Sequence, residues 1–159
     1  LAEFDTPEWR AERNAKLAEW FLHNGDAIAL FLDFCQLSEV WDDLIDKDKI
    51  PTDEEVSDTF NSMLIRLPTN PFYLRYQGWF TCLSILVVNA YHDANQFQLG
   101  DKRQRHIAYH LRKMIIEFAC LIAFCAGGFP HMRKVSLEIR EFFIRETYED
   151  WELSDAQLH

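Results

Sequence analysis

Two stretches of this chain have no polar face. Residues 79–91 read WFTCLSILVVNAY and residues 114–126 read MIIEFACLIAFCA. On a helical wheel both are apolar nearly all the way round, and a helix of that kind is buried on every side. Neither reaches the ~20 apolar residues that a bilayer crossing needs, and the second carries Glu117. These segments are therefore expected to be two central helices with others wrapped around them.

The rest of the pattern fits that plan. Only 5 Gly and 5 Pro punctuate 159 residues, so elements are long and turns are few. Thr6-Pro7-Glu8 opens a first helix, with a capping hydroxyl, a proline at the first helical position and an acid at the positive dipole end. Asn24-Gly25-Asp26 breaks it and caps a second over 27–45. In that helix Ala27, Leu30, Phe31, Phe34, Cys35, Trp41, Leu44 and Ile45 share one face. Thr52 and Glu55 have capping-box spacing before a third helix, whose Val56, Phe60, Met63, Leu64 and Leu67 are expected to point inward. Pro68-Thr69-Asn70-Pro71 separates it from a fourth over 72–98. Gly100-Asp101 starts a fifth over 102–126, and Gly127-Gly128-Phe129-Pro130 stops it. A sixth over 131–147 turns Val135, Ile139, Phe142 and Phe143 inward. No alternating strand pattern longer than a few residues occurs. The expectation is an all-α, single-domain bundle of five to six helices over residues 1–147, with a poorly ordered tail at 148–159.

Composition narrows the function classes. A net charge of -10 is the wrong sign for a binder of free nucleic acid. Cys35, Cys82, Cys120 and Cys125 lie in apolar helical contexts without metal-ligand spacing, and read as buried free thiols in a reducing compartment. The first residues lack the basic start and apolar core of a signal peptide. The expectation is a soluble intracellular protein, neither secreted nor on a membrane.

Polar residues on apolar faces mark candidate sites. The acidic run Glu39-Val40-Trp41-Asp42-Asp43-Leu44-Ile45-Asp46 ends a helix, where the dipole disfavours carboxylates. A cation among them would relieve that. Asp42 flanks the buried face, while Glu39, Asp43 and Asp46 read as solvated. Asn89, Asp93 and Gln96 continue the line of Arg75 and Cys82 along the fourth helix. His106, His110 and Glu117 share a stripe of the fifth. Glu117, alone among apolar neighbours, needs a proton, a metal or a cation such as Arg75, Arg66 or Lys113. If Asp42, Asp93, His110 and Glu117 converge, they form a carboxylate–histidine site for a divalent metal inside the bundle, with Asp46 joining Asp42 in holding ions that bind phosphate. No nucleophile elbow, phosphate loop or dinucleotide fingerprint is present.

Three resemblances bear on these residues. Asp42-Asp43-Leu44-Ile45-Asp46 resembles the first aspartate-rich motif of prenyl synthases, though no second motif follows. The Glu39/Asp42 and Asp43/Asp46 spacings are similar to the metal motif of all-α nucleoside triphosphate pyrophosphatases. That resemblance implies a second acid pair, where this chain has Asp93-Ala94-Asn95-Gln96. The run from Trp41 to Lys49, followed by Leu67-Pro68-Thr69-Asn70-Pro71-Phe72-Tyr73 and a long apolar helix, resembles uncharacterised helical proteins of tailed bacteriophages. It implies a phage origin, in the host cytoplasm or the virion, and no particular activity. The leading expectation is a helical interaction or structural protein, a virion or accessory component that binds a protein partner or itself. Trp9, Trp20, Tyr148 and Trp151, near the chain ends, are its candidate anchors. The alternative is a metal-dependent hydrolase of a nucleotide or other phosphorylated small molecule.

Overall fold

The computed structural model describes residues 6–47 and 49–152, and the side chain of Asp46 lies outside that description. The described residues form an all-α single domain of six helices with no strand. These are α1 (Pro7–Trp20), α2 (Gly25–Asp46), α3 (Asp53–Asn61), α4 (Pro71–Gln98), α5 (Lys102–Arg112) and α6 (Ile116–Phe143).

The caps fall where the side chains call for them. Thr6 accepts from the Trp9 amide at 3.1 Å, and Pro7 takes the first helical position. Asn24 caps α2 and Asn70 caps α4, each through its side-chain oxygen. Thr52/Glu55 and Asp101/Gln104 form complete capping boxes on α3 and α5. Each cap satisfies amides that the first helical turn cannot satisfy internally.

α6 is a helical hairpin. Gly128 has φ 77° and ψ 178°, a region open essentially to glycine alone. The reversal is evident from a contact: Arg140 Nη2 donates to both Glu117 oxygens, at 2.7 and 2.8 Å. A straight helix would hold residues so far apart in sequence about 35 Å apart. Gly127-Gly128 thus ends one arm and begins the next, as its composition implies. The expected continuous helix over 102–126 is interrupted instead by a tighter 3₁₀ turn, Lys113–Ile115. It separates the polar α5 from the apolar first arm of α6.

The core lies between α1, α2 and both arms of α6. Leu17, Trp20, Phe21, Leu30, Ile122 and Ile139 are fully buried, and Phe34 stacks on Phe118 with ring centroids 4.1 Å apart. The first arm of α6 is central, as the sequence suggests. The second central helix is α2, not α4. Only Phe72, Phe80, Ala90 and Ala94 of α4 are buried. Trp79 and Leu86 on one flank of that buried strip, and Ile85 and Val88 on the far side of the helix, are exposed. Apolar residues on every side of a helix do not say what covers the outer face.

α3 is also turned the other way from its expected orientation. Thr59 and Ser62 are buried, while Phe60, Met63 and Leu64 are exposed. A π turn at Ser62–Arg66 follows the helix. Arg66 there donates to Asp33 at 2.9 Å and to Asp58 at 2.6 and 3.0 Å, and Gln36 donates to Asp58 at 2.8 Å. These charge-assisted bonds fix the polar side of α3 against α2. Arg66 holds the Asp58 carboxyl down at about 2, with Gln36 adding to the effect.

The chain ends and one cysteine also depart from the expectation. Trp20 and Tyr148 are buried, and Trp9 stacks on Phe142, so these rings belong to the core and not to an interface. Residues 148–152 form a docked helical turn, with Tyr148 stacked on His106 at 3.5 Å. The remainder of the expected tail, 153–159, lies outside the described residues. Cys82 is exposed, whereas burial pushes the Cys35 thiol up to about 12 and the Cys120 and Cys125 thiols up to about 11.

Candidate interaction surface

The acidic end of α2 does receive a cation. Arg112, with only 10% of its side chain exposed, donates to Asp42 Oδ1 at 2.7 Å. Its other nitrogen donates to Asn95 at 2.9 Å and Gln98 at 2.6 Å. The guanidinium lies over the Tyr91 ring, whose hydroxyl also donates to Asp42 at 2.7 Å, and Trp41 packs against Tyr91 with ring centroids 4.3 Å apart. Three residues from α4 (Tyr91, Asn95 and Gln98) and one from α5 (Arg112) thus tie the end of α2 to the α4–α5 hairpin. Asp43 is not solvated as expected: its side chain is 14% exposed and lies 3.6 Å from Lys49.

Among the described residues the proposed metal ligands do not gather into a site. Asp42 is engaged by Arg112 and Tyr91. Asp93 is exposed and accepts from Asn89 at 3.0 Å. His110 is exposed beside the Tyr109 ring. Glu117 is held by Arg140, a cation from the other arm of the hairpin and not one of the three considered from sequence. Asp46's side chain is outside the described residues. Among the described residues no group of three His, Cys, Asp or Glu side chains is placed to hold a metal. The stripe Asn89, Asp93 and Gln96 faces outward, not into the bundle.

What the geometry does assemble is an apolar surface. Trp79, Ile85 and Leu86 are 59%, 64% and 60% exposed. Trp79, Cys82, Leu83 and Leu86 form one wall of an open groove of about 430 Å³. Leu121, Phe124, Phe129 and Met132 from the α6 hairpin form the other, with Glu117 at the edge. Along the same helix Tyr73, Thr81, Ile85, Val88 and His92 line a second concavity. The only formal charges in the 28 residues of α4 are Arg75 and Asp93. A solvated helix face normally carries many more.

Residues 102–143 contain an 18-residue window apolar enough for a bilayer by composition, of which 33% is buried. That stretch is not one straight rod, because it is tightened at Lys113–Ile115 and reversed at Gly128. Its first apolar arm, 116–127, spans about 18 Å against a hydrocarbon core of about 30 Å.

Arg112 and Arg140 were missed in the sequence because both lie outside the acidic and apolar runs that drew attention. The line of Arg75, Cys82, Asn89 and Asp93 was visible in the sequence, but as an inward one; with Trp79 and Leu86 it recurs at alternating steps of four and three on an exposed side of α4. No protein-family model, curated protein or solved structure matches this chain.

Proposed function

We propose that this protein is a helical interaction module that binds a protein surface through the exposed face of α4 and the groove beside it. One observation carries this: an apolar face, with a groove beside it, on a folded domain whose core is already complete without it. The exposed parts of Trp79, Leu86 and Phe129 around that groove amount to on the order of 400 Å². That is within the range of the largest patch on a typical monomer, about 300–600 Å², which is often a functional surface. An assembling role suits a virion or accessory component, in keeping with the phage-like stretches at Trp41–Lys49 and Leu67–Tyr73. The hydrolase alternative has no geometric support among the described residues, since its ligands are apart.

The test is the double variant Trp79→Glu/Leu86→Glu. It should keep its helicity and a cooperative melt, because neither side chain is in the core. The wild type should either assemble or, as a monomer, bind an apolar fluorescent dye that the variant does not. A wild-type monomer that binds no dye contradicts the proposal, and so does a variant that fails to fold.

A further inference from the structure

Resting on that reading, we infer that the face of α4 binds a second copy of this chain, with the two α4 helices antiparallel across a two-fold axis. Three features of the surface point to this occupant.

The first is the spacing of the stripe. Arg75, Trp79, Cys82, Leu86, Asn89 and Asp93 step by four and three residues, the repeat that keeps one seam facing a partner helix. Tyr76 departs from helical angles at φ -120° and ψ 19° and kinks the helix there; the two departures are nearly equal and opposite, so the twist per residue is kept although the axis bends. Arg75 therefore keeps the angular phase of the stripe on the bent first turns of α4.

The second is charge. Arg75 and Asp93 lie eighteen residues apart, five full turns at 3.6 residues per turn, and so share one angular phase, with the bend at Tyr76 beside Arg75. They have opposite signs and sit at opposite ends of an otherwise uncharged seam. A two-fold axis crossing α4 between Cys82 and Leu86 sets Arg75 against Asp93 of the second copy at both ends. It also sets Trp79 against Asn89 and Cys82 against Leu86. A parallel pairing would instead oppose Arg75 to Arg75 and Asp93 to Asp93. The seam is thus self-complementary in the antiparallel sense alone, the hallmark of an isologous contact. Within the chain Arg75 lies over the Tyr76 ring and Asp93 accepts from Asn89, and neither contact blocks the outward reach of these side chains.

The third is shape and area. In this arrangement Leu86 of the second copy sits beside Cys82, at the mouth of the groove lined by Leu121, Phe124, Phe129 and Met132. A branched side chain entering such a hole is the packing unit of paired helices. The apolar patch on the seam is on the order of 400 Å² per chain, so with its polar flanks the pairing is a small interface, below the ~800 Å² per partner of a standard one, and association in the micromolar range suits it. Each chain carries a net charge of -10, so the copies repel at long range. Physiological salt screens that repulsion beyond about 8 Å, while a buried apolar seam is not weakened by it.

The experiment is sedimentation velocity on four proteins: wild type, Arg75→Glu, Asp93→Arg, and the double swap. The wild type should sediment as a dimer of twice 18.9 kDa at tens of micromolar. Each single swap places like charges opposite one another at both ends, so self-association should weaken on the order of tenfold or more. Mixed together, the two single variants should form a one-to-one dimer, because the acid introduced at position 75 faces the base introduced at position 93. The double swap should dimerise again. A wild type that is monomeric at ~100 μM, whether it binds nothing, a vesicle or another protein, overturns the second-copy inference; if that monomer still binds apolar dye, the interaction reading itself survives. A wild-type dimer indifferent to the single swaps, with no preference in the mixture, overturns it as well.

Discussion

Gly128→Ala isolates the one backbone conformation on which the α6 hairpin depends. At φ 77° and ψ 178° the residue occupies a region in which an L side chain is strained by its own backbone, at about 1–3 kcal/mol. Surroundings add little: a Cβ built at this position meets only Pro130 Cδ, at an ordinary 3.8 Å. The cost is therefore local, and about 2 kcal/mol is the expected loss. For a chain of this size that corresponds to a fall in Tm of about 4–8 °C. Gly25→Ala is the matched control. It lies in the first turn of α2 at ordinary helical angles, and a Cβ there meets nothing within 4 Å. Removing glycine's freedom in the unfolded chain should stabilise it by up to about 1 kcal/mol. Urea melts read both, with unchanged denaturant dependence showing that the same surface unfolds. If Gly128→Ala is as stable as the wild type, the chain does not turn at Gly128 as described, and the pairing of Glu117 with Arg140 loses its basis.

Three further outcomes follow from the polar contacts. Arg112→Met should cost about 2 kcal/mol by denaturant melts, because it removes charge-assisted bonds to Asp42, Asn95 and Gln98 from a nearly buried position; a change near zero would mean that these bonds do not hold α2 to the hairpin. Glu117→Gln should cost about 1 kcal/mol or less, since both partners of its ion pair are more than a third exposed (39% and 38%) and solvent screens them; a loss of several kcal/mol would indicate a buried pair. Arg66 holds the Asp58 carboxyl at about 2 in the folded protein, below its unfolded value near ~4, so its contribution is complete above pH ~4 and is lost as pH falls toward 2. Asp58→Asn should therefore flatten the stability–pH curve in that window, and an unchanged acid limb would refute the assignment.

Much of the fold was legible in the sequence because caps and breaks are local chemistry. Thr6, Asn24, Thr52 and Asp101 each occur where a helix must satisfy its first amides. Gly128 supplies an angle that no other residue tolerates well. The inward face of the second arm of α6, with Val135, Ile139 and Phe142, follows from its period. The orientation of α4 and α3 was not legible for a different reason. Periodicity reports which residues are apolar, not whether the covering surface belongs to the same chain. Trp79, Ile85 and Leu86 looked like core for that reason, and Phe60, Met63 and Leu64 did too. Asp42 and Glu117 were not matched to their partners in the sequence because the cations come from distant positions. Arg112 lies 70 residues from Asp42, and Arg140 lies 23 residues from Glu117 across a turn.

The claim that the α4 face is an interface between copies is tested most directly at Cys82. This thiol lies on the seam and is exposed, whereas burial has pushed the other three upward. Its alkylation rate therefore reports whether the face is covered. The account predicts rapid labelling of Cys82 in dilute wild-type protein and progressively slower labelling as protein concentration rises, with labelling of Arg75→Glu remaining fast throughout. A Cys82 rate that is the same at every concentration would contradict it.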